Sequence, residues 1–271
     1  MKQLSFLCLV LLVGNTGFAQ KIAVSAGQKI HQTTQSNGVI HQTVAGNDME
    51  IKSDITLDAD IVVKAVSTDI TLTNTITRLQ SKTEMMGNSR SFDSDKKEDM
   101  DGQMGQVVKD IINKPSDVVL SYDGKVKNTK PTNSSKTDML SSIVGSGIGE
   151  LVAQSFLAVP EKLQVGDTFT VYNESKEAGK TQSYTYKVKS INGTDAVLSF
   201  SGTENTKTTK TVQGMDAIVT GTSSITGELT VNTATGIIQS KKGTTEGKGT
   251  TQVMGQEIPF STEQHFEIIG K

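Results

Sequence analysis

Cysteine is almost missing from this 271-residue chain: the single one, Cys8, lies inside an apolar run near the N-terminus. One thiol cannot close an intrachain disulfide, and a chain trimmed of that run would hold no thiolate nucleophile or Cys-ligated metal at all. Tryptophan is absent and aromatics make up 4% of residues, which leaves no base-stacking platform and no ring-lined sugar cleft. Charge of one sign is lacking too: 27 Lys+Arg stand against 29 Asp+Glu, a net charge of −2. No basic field for a phosphate backbone results, so nucleic acid is not an expected partner. Long apolar runs are missing as well. Leu4–Val13 is roughly ten residues, about half of what a bilayer-spanning helix needs.

That short run has a different meaning. Lys2 precedes it, and Gly14 to Ala19 supply small and polar residues after it, the three-part pattern of a secretory signal. The expected cut follows Ala19, so residues 1–19 are read as a signal peptide and residues 20–271 as a single β-rich domain. Cys8 is not read as a lipid-bearing cysteine, because Phe6 and Leu7 precede it where small residues are required. The expected location is exported: periplasmic, or extracellular and associated with the cell envelope.

Threonine and period-two alternation dominate the rest. Ile55, Leu57, Ala59, Ile61, Val63 and Ala65 alternate with polar residues, and Ile70, Leu72 and Ile76 continue the pattern opposite Thr71, Thr73, Thr75 and Thr77. Half-buried strands of this kind predict an antiparallel sheet with one wet face. Asn37-Gly38 predicts a tight hairpin between strands at 28–35 and 39–44. Further strands are expected over 117–126, 167–173, 182–191, 196–201, 218–225, 227–231, 237–241 and 264–269. Asn192-Gly193, Gly202, Gly243, Gly247 and Gly249 read as turns or bulges, and the Thr/Lys run 204–211 as an exposed loop or hairpin arm.

Two helices interrupt this pattern. Met104, Val107, Val108, Ile111 and Ile112 have helical spacing over 99–113, with Pro115 beyond. Leu140, Ile143, Val144, Ile148, Leu151, Val152 and Phe156 line one face of a helix over 138–159 that stops before Pro160. Its polar face carries no Lys or Arg, which favours a core helix over one lying on a membrane. The fold class is therefore mainly β with two helices: a curved antiparallel sheet, half-barrel or sandwich-like, with an apolar helix packed on it. The turns at 119–126 and 229–237 are alike, so residues 20–130 and 160–271 could be related halves joined by the helix 138–158. Coincidence among Thr-rich strands explains the likeness equally well.

A family resemblance runs through the chain in order: Ser91-Phe92-Asp93-Ser94-Asp95, Tyr122-Asp123-Gly124-Lys125-Val126, Val159-Pro160-Glu161-Lys162-Leu163-Gln164-Val165-Gly166-Asp167-Thr168-Phe169, and Gly227-Glu228-Leu229 through Thr235-Gly236. With the signal peptide, these resemble a family of exported bacterial proteins classed as domain of unknown function 6263. The resemblance implies a β-rich exported protein and supplies no activity or catalytic residue.

Constellations that would carry chemistry are sparse. His31 and His41 lie in a repeated Ile-His-Gln-Thr, and a turn at Asn37-Gly38 would send them to opposite faces; His265 alternates outward with Glu263 and Glu267. No metal site is expected from them. The acidic stretch 93–102 suggests a calcium loop, but Lys97 stands where a third carboxylate belongs and Met104 where a closing Glu belongs. Asp99 or Asp101 at a helix start is the better reading. Gly145-Ser146-Gly147 has neither the strand–elbow–helix setting of a nucleophilic serine nor the Gly-Lys-Ser/Thr of a phosphate loop. The chain is thus expected to be no enzyme and to need no cofactor. The expected function is a binding or carrier module for an apolar, lipid-like ligand, with Met139, Ile143, Ile148, Leu151, Phe156, Leu198 and Phe200 as candidate lining. The alternative is a structural or adhesion-type surface protein whose Thr-rich face meets protein or glycan partners.

Overall fold

A computed structural model of the chain describes residues 20–44, 46–130, 147–175, 179–212 and 215–271. One antiparallel sheet of twelve strands dominates it and does not close into a barrel. The first run of the chain supplies β2 (Lys29–Val44), β3 (Asn47–Val66), β4 (Ile70–Met85), β5 (Asn88–Asp93), β6 (Pro115–Leu120) and β7 (Val126–Lys130). The second supplies β9 (Thr168–Ser175), β10 (Lys180–Asn192), β11 (Asp195–Val212), β12 (Met215–Asn232), β13 (Ile238–Val253) and β14 (Gln256–Gly270). Each run is a meander of hairpins. They merge where β14 pairs with β2, giving the order β7-β6-β4-β3-β2-β14-β13-β12-β11-β10-β9, with β5 also on β4.

The core occupies one end of the inner face. Ile22 and Val24 with Leu57, Ile61, Ile70, Leu72, Ile76, Leu79, Leu120, Ile148 and Val152 belong to one buried cluster. Val188, Leu198, Phe200, Leu229, Val231 and Ile238 make the other. The N-terminal segment ties them. Gln20–Lys21 (β1) pairs with Val159–Pro160 (β8). The Ile22 N–H donates to Tyr122 O at the β6–β7 turn, and the Ala23 N–H to Thr235 O at the β12–β13 turn. Ile22 is fully buried between those turns.

Among the described residues, three short helices sit on the core end and its flank: α1 (Lys97–Asp101), α2 (Gln103–Val108) and α3 (Ile148–Ala153). The single helix expected over 99–113 is broken because Gly102 adopts an extended conformation, φ −78° and ψ 178°, and caps both pieces. Beyond it the chain turns, and Ile112 bridges to Ile76 of β4. The second expected helix is shorter than 138–159: after Ala153 the chain unwinds so that Phe156 bridges Ile237 and Val159–Pro160 forms a strand. Its expected first half, with Met139 and Ile143, lies outside the described residues, as does the expected signal peptide, residues 1–19.

The Asn37-Gly38 hairpin is not formed. Strand β2 runs straight through it, Asn37 pairing with Asp54 and His265, Gly38 with Ser53 and Gln264. The turn falls instead at Gly46, φ +82°. His31 and His41 therefore share the outer face of one strand rather than opposite faces, ten positions or about 33 Å apart. Gly202, Gly243, Gly247 and Gly249 are likewise interior strand positions, not turns. Ala65, expected on the buried face of β3, is exposed because a bulge after Val63 reverses the alternation.

Candidate functional site: the inner face of the hairpin arms

The hairpins are far longer than the core is deep. Past Leu57 and Ile225 the strands project as arms in which inner positions are mostly half-buried and outer positions mostly exposed. Register places Ile40 (β2), Ile51 (β3), Val219 (β12), and Ile258 and Phe260 (β14) on the inner face, each half-buried and none a member of either core cluster. Between them lie small or uncharged residues: Ser53, Gly221, Ser223, Thr245, Gly247, Gly249 and Thr262. The outer face differs completely. Ion pairs and hydrogen bonds such as Lys52–Glu50 at 2.9 Å, Lys82–Glu84 at 2.6 Å, His31–Asp60 at 2.8 Å and Thr43–Asp48 at 2.8 Å cover it. Two open depressions there, of about 380 and 270 Å³, have charged walls (Lys52, Asp54, Lys82 and Glu84; Asp93, Lys96 and Asp99).

Glycine and phenylalanine together flatten the inner face. A Cβ on Gly227 would lie 2.6 Å from Phe200 Cζ, one on Gly243 2.9 Å from Phe266 Cζ, and one on Gly249 2.7 Å from Phe260 Cζ. Each ring lies across a glycine of the adjacent strand, so it covers bare backbone and stands low. The aromatic group extends through Phe169 stacked on Tyr186 at 5.2 Å and Tyr184 edge-on to Phe200 at 6.3 Å. Burial, and for Tyr184 also the charge of Glu204, holds both tyrosine hydroxyls well above the usual range.

One cation stands among these rings. Lys241 Nζ is 5.2 Å from the Phe200 ring centre, 5.6 Å from Phe266 and 5.7 Å from Tyr184. Burial alone pushes its pKa down to about 8. The inner carboxylates are engaged elsewhere: Lys180 lies 3.7 Å from both Glu150 and Glu204, and Gln182 donates to Glu204 at 2.6 Å. Through Lys180, α3 reaches β10 as well as β6 and β7, so the two flanks of the curved sheet approach the same helix.

Of the residues expected to line a cavity, Ile148, Leu151 and Phe156 pack in the N-terminal cluster and Leu198 and Phe200 in the other. They are thus divided between two packed regions, and only Phe200 borders the open arms. The arm residues and Lys241 were not singled out from sequence. Ile237–Lys241 suggests a strand ending there, but β13 continues to Val253, and the bulge at Gln239, opposite Thr230 and Val231, turns Lys241 inward. A reader counting alternate residues from Ile238 would place it outside. In the acidic stretch, Asp93 accepts from Arg78 at 3.1 Å and Gln80 at 2.8 Å, and Asp99 accepts the Asp93 N–H at 2.8 Å. These carboxylates thus tie β4 to β5 and α1. No cluster of three or more potential metal-ligating side chains occurs among the described residues.

Comparison with known proteins agrees with this architecture. Residues 67–147 match a family of unknown function (DUF6263). No curated protein matches in sequence. Among solved structures, one titled for lipid–protein interactions in lipovitellin superposes with a TM-score of 0.56 at 14% identity, covering 91% of this chain and 25% of that one. The chain thus spans a quarter of lipovitellin, and the likeness is one of fold. An outer-membrane channel from Pseudomonas putida F1 aligns over 96% of this chain and all of its own, at 9% identity and a TM-score of 0.26, too low to bear on the fold. No helix among the described residues is long and apolar enough to cross a membrane.

Proposed function

We propose that this chain is a non-catalytic, exported envelope protein that binds an apolar, lipid-like ligand along the inner face of its hairpin arms. The observation that carries the reading is the row Ile40, Ile51, Val219, Ile258 and Phe260, half-buried, outside both cores and set among small uncharged residues. An apolar chain laid on that row would complete its burial, at about 25 cal/mol for each Å² removed from water. The flattening of the face by rings over glycines supports the same reading, since it leaves room for a ligand between the arms. The fold shared with lipovitellin, whose structure is titled for its lipid interactions, is compatible with it as an analogy of fold. The signal-like N-terminus supports export.

Uptake of N-phenyl-1-naphthylamine, which brightens in apolar surroundings, tests the reading. The wild-type protein raises its emission saturably, and Ile51→Asn with Phe260→Asn weakens that at least tenfold while the circular dichroism of the sheet is kept. Equal uptake by wild type and the double variant would refute the arm face as the binding surface.

A further inference from the structure

Lys241 stands where an apolar residue would stabilise the fold more. Its row across the sheet reads Val188, Leu198, Leu229, Lys241, Ile268, Thr34 and Leu57, all core-facing. Those neighbours are buried, and Lys241, itself half-buried, holds its ammonium among three rings. Removing a charge from water is costly unless it is paired, and ring faces return only part of that cost. No carboxylate within ion-pair distance of Lys241 occurs among the described residues, because Glu204 and Glu150 are held by Lys180. Tyr184 beside it, and Tyr186 packed against Tyr184 and Phe200, are neutral, their ionisation suppressed chiefly by burial. A cation with no ion-pair partner at the inner end of a trough whose other inner charges, Lys180, Glu150 and Glu204, pair with one another is complementary to one kind of ligand: an apolar chain ending in an acid.

Resting on the trough reading above, we infer that Lys241 is the head-group subsite of that trough, and that the ligand is an anionic amphiphile whose carboxylate or phosphate pairs with Lys241 Nζ while its chain runs outward past Phe266 and Phe260. The rings of Tyr184, Phe200 and Phe266 hold the ammonium in place before the ligand arrives and exclude water from the pair once formed. A desolvated charge pair of this kind discriminates acid from neutral analogue by about tenfold or more.

The test uses the full mature protein and four probes: oleate and its neutral methyl ester, 1-oleoyl lysophosphatidate and neutral monoolein. Wild type is expected to bind each acid at least about tenfold more tightly than its neutral counterpart, and the tighter acid identifies carboxylate or phosphate as the head group. Lys241→Met, which keeps the apolar stem, is expected to bind the neutral probes as wild type does and to lose the preference. Lys241→Arg is expected to keep it. No preference in wild type, or a preference that survives Lys241→Met, would overturn the inference and leave the trough standing. Failure of wild type to bind any of the four would overturn both.

Discussion

Replacing Gly243 by alanine tests whether rings lying over glycines shape the inner face. The added Cβ would lie 2.4 Å from the Thr226 carbonyl oxygen, 2.9 Å from Phe266 Cζ and 3.2 Å from Phe200 Cζ. None of these is the loose end of a flexible side chain, so strands or rings must shift, and overpacking of this kind costs about 1–3 kcal/mol. The gain from a stiffer unfolded chain offsets about 0.4–1 kcal/mol of that. A net loss of about 1 kcal/mol is expected, or a fall in Tm of roughly 2–4 °C for a chain of this size. Gly247→Ala is the matched control: same strand, same face, four positions on. Its close contacts would be the hydroxyls Ser223 Oγ at 2.5 Å and Thr262 Oγ1 at 2.7 Å, which can rotate away, with Ser223 Cβ at an ordinary 3.4 Å. That variant should stay within about 0.5 kcal/mol of wild type. Urea denaturation with an unchanged m-value reads both. Equal stabilities for the two variants would refute the idea that the Thr226 carbonyl and the Phe266 and Phe200 rings together require glycine at 243.

Four other outcomes follow from the same structure. Ile22→Ala, at the fully buried joint of the two turns, should cost about 2–5 kcal/mol by thermal or urea unfolding. Arg78 beside Asp93 lowers that carboxyl to about 2, so its stabilising contribution is complete above about pH 4 and lost as pH falls toward 2; Asp93→Asn should flatten the urea midpoint over that window. Lys241, depressed to about 8, acts oppositely: the unfolded chain holds its proton to higher pH, so stability should rise from pH 8 toward 10. Lys241→Met should be more stable at pH 7 and lack that rise; above about pH 10 the buried Tyr184 and Tyr186 work against it. Met86 and Met254 sit at hairpin tips with φ of 51°, each before a glycine of positive φ, so Met86→Asn and Met254→Asn should each stabilise by about 0.5–1 kcal/mol, read as a rise in Tm.

The β character of the chain was legible because burial in β3 and β4 follows the sequence alternation almost residue by residue, Ile55 to Val63 and Ile70 to Ile76. Turns were legible where glycine carries a positive φ, as at Gly124 and Gly193. They were misread at Asn37-Gly38, where local turn chemistry yields to pairing with β3 and β14 on both sides, a long-range fact. The glycines of β11–β13 look like breaks in sequence, and the rings and backbone carbonyls of neighbouring strands that lie against most of them become visible only once the strands are paired. Strand lengths were underestimated for a related reason: the arms alternate threonine with serine and glycine, which reads as loop until paired across a sheet. The site was least legible of all, because a bulge reverses the parity that would place Lys241 and because the ring contacts join β10, β11 and β14.

Native mass spectrometry of the protein, purified from the cells that make it and offered oleate before measurement, tests the central claim most directly. The account predicts a chain beginning at Gln20 that carries a reproducible excess mass, of an endogenous amphiphile or of oleate, lost on denaturation. A bare chain under native conditions after exposure to oleate would contradict it.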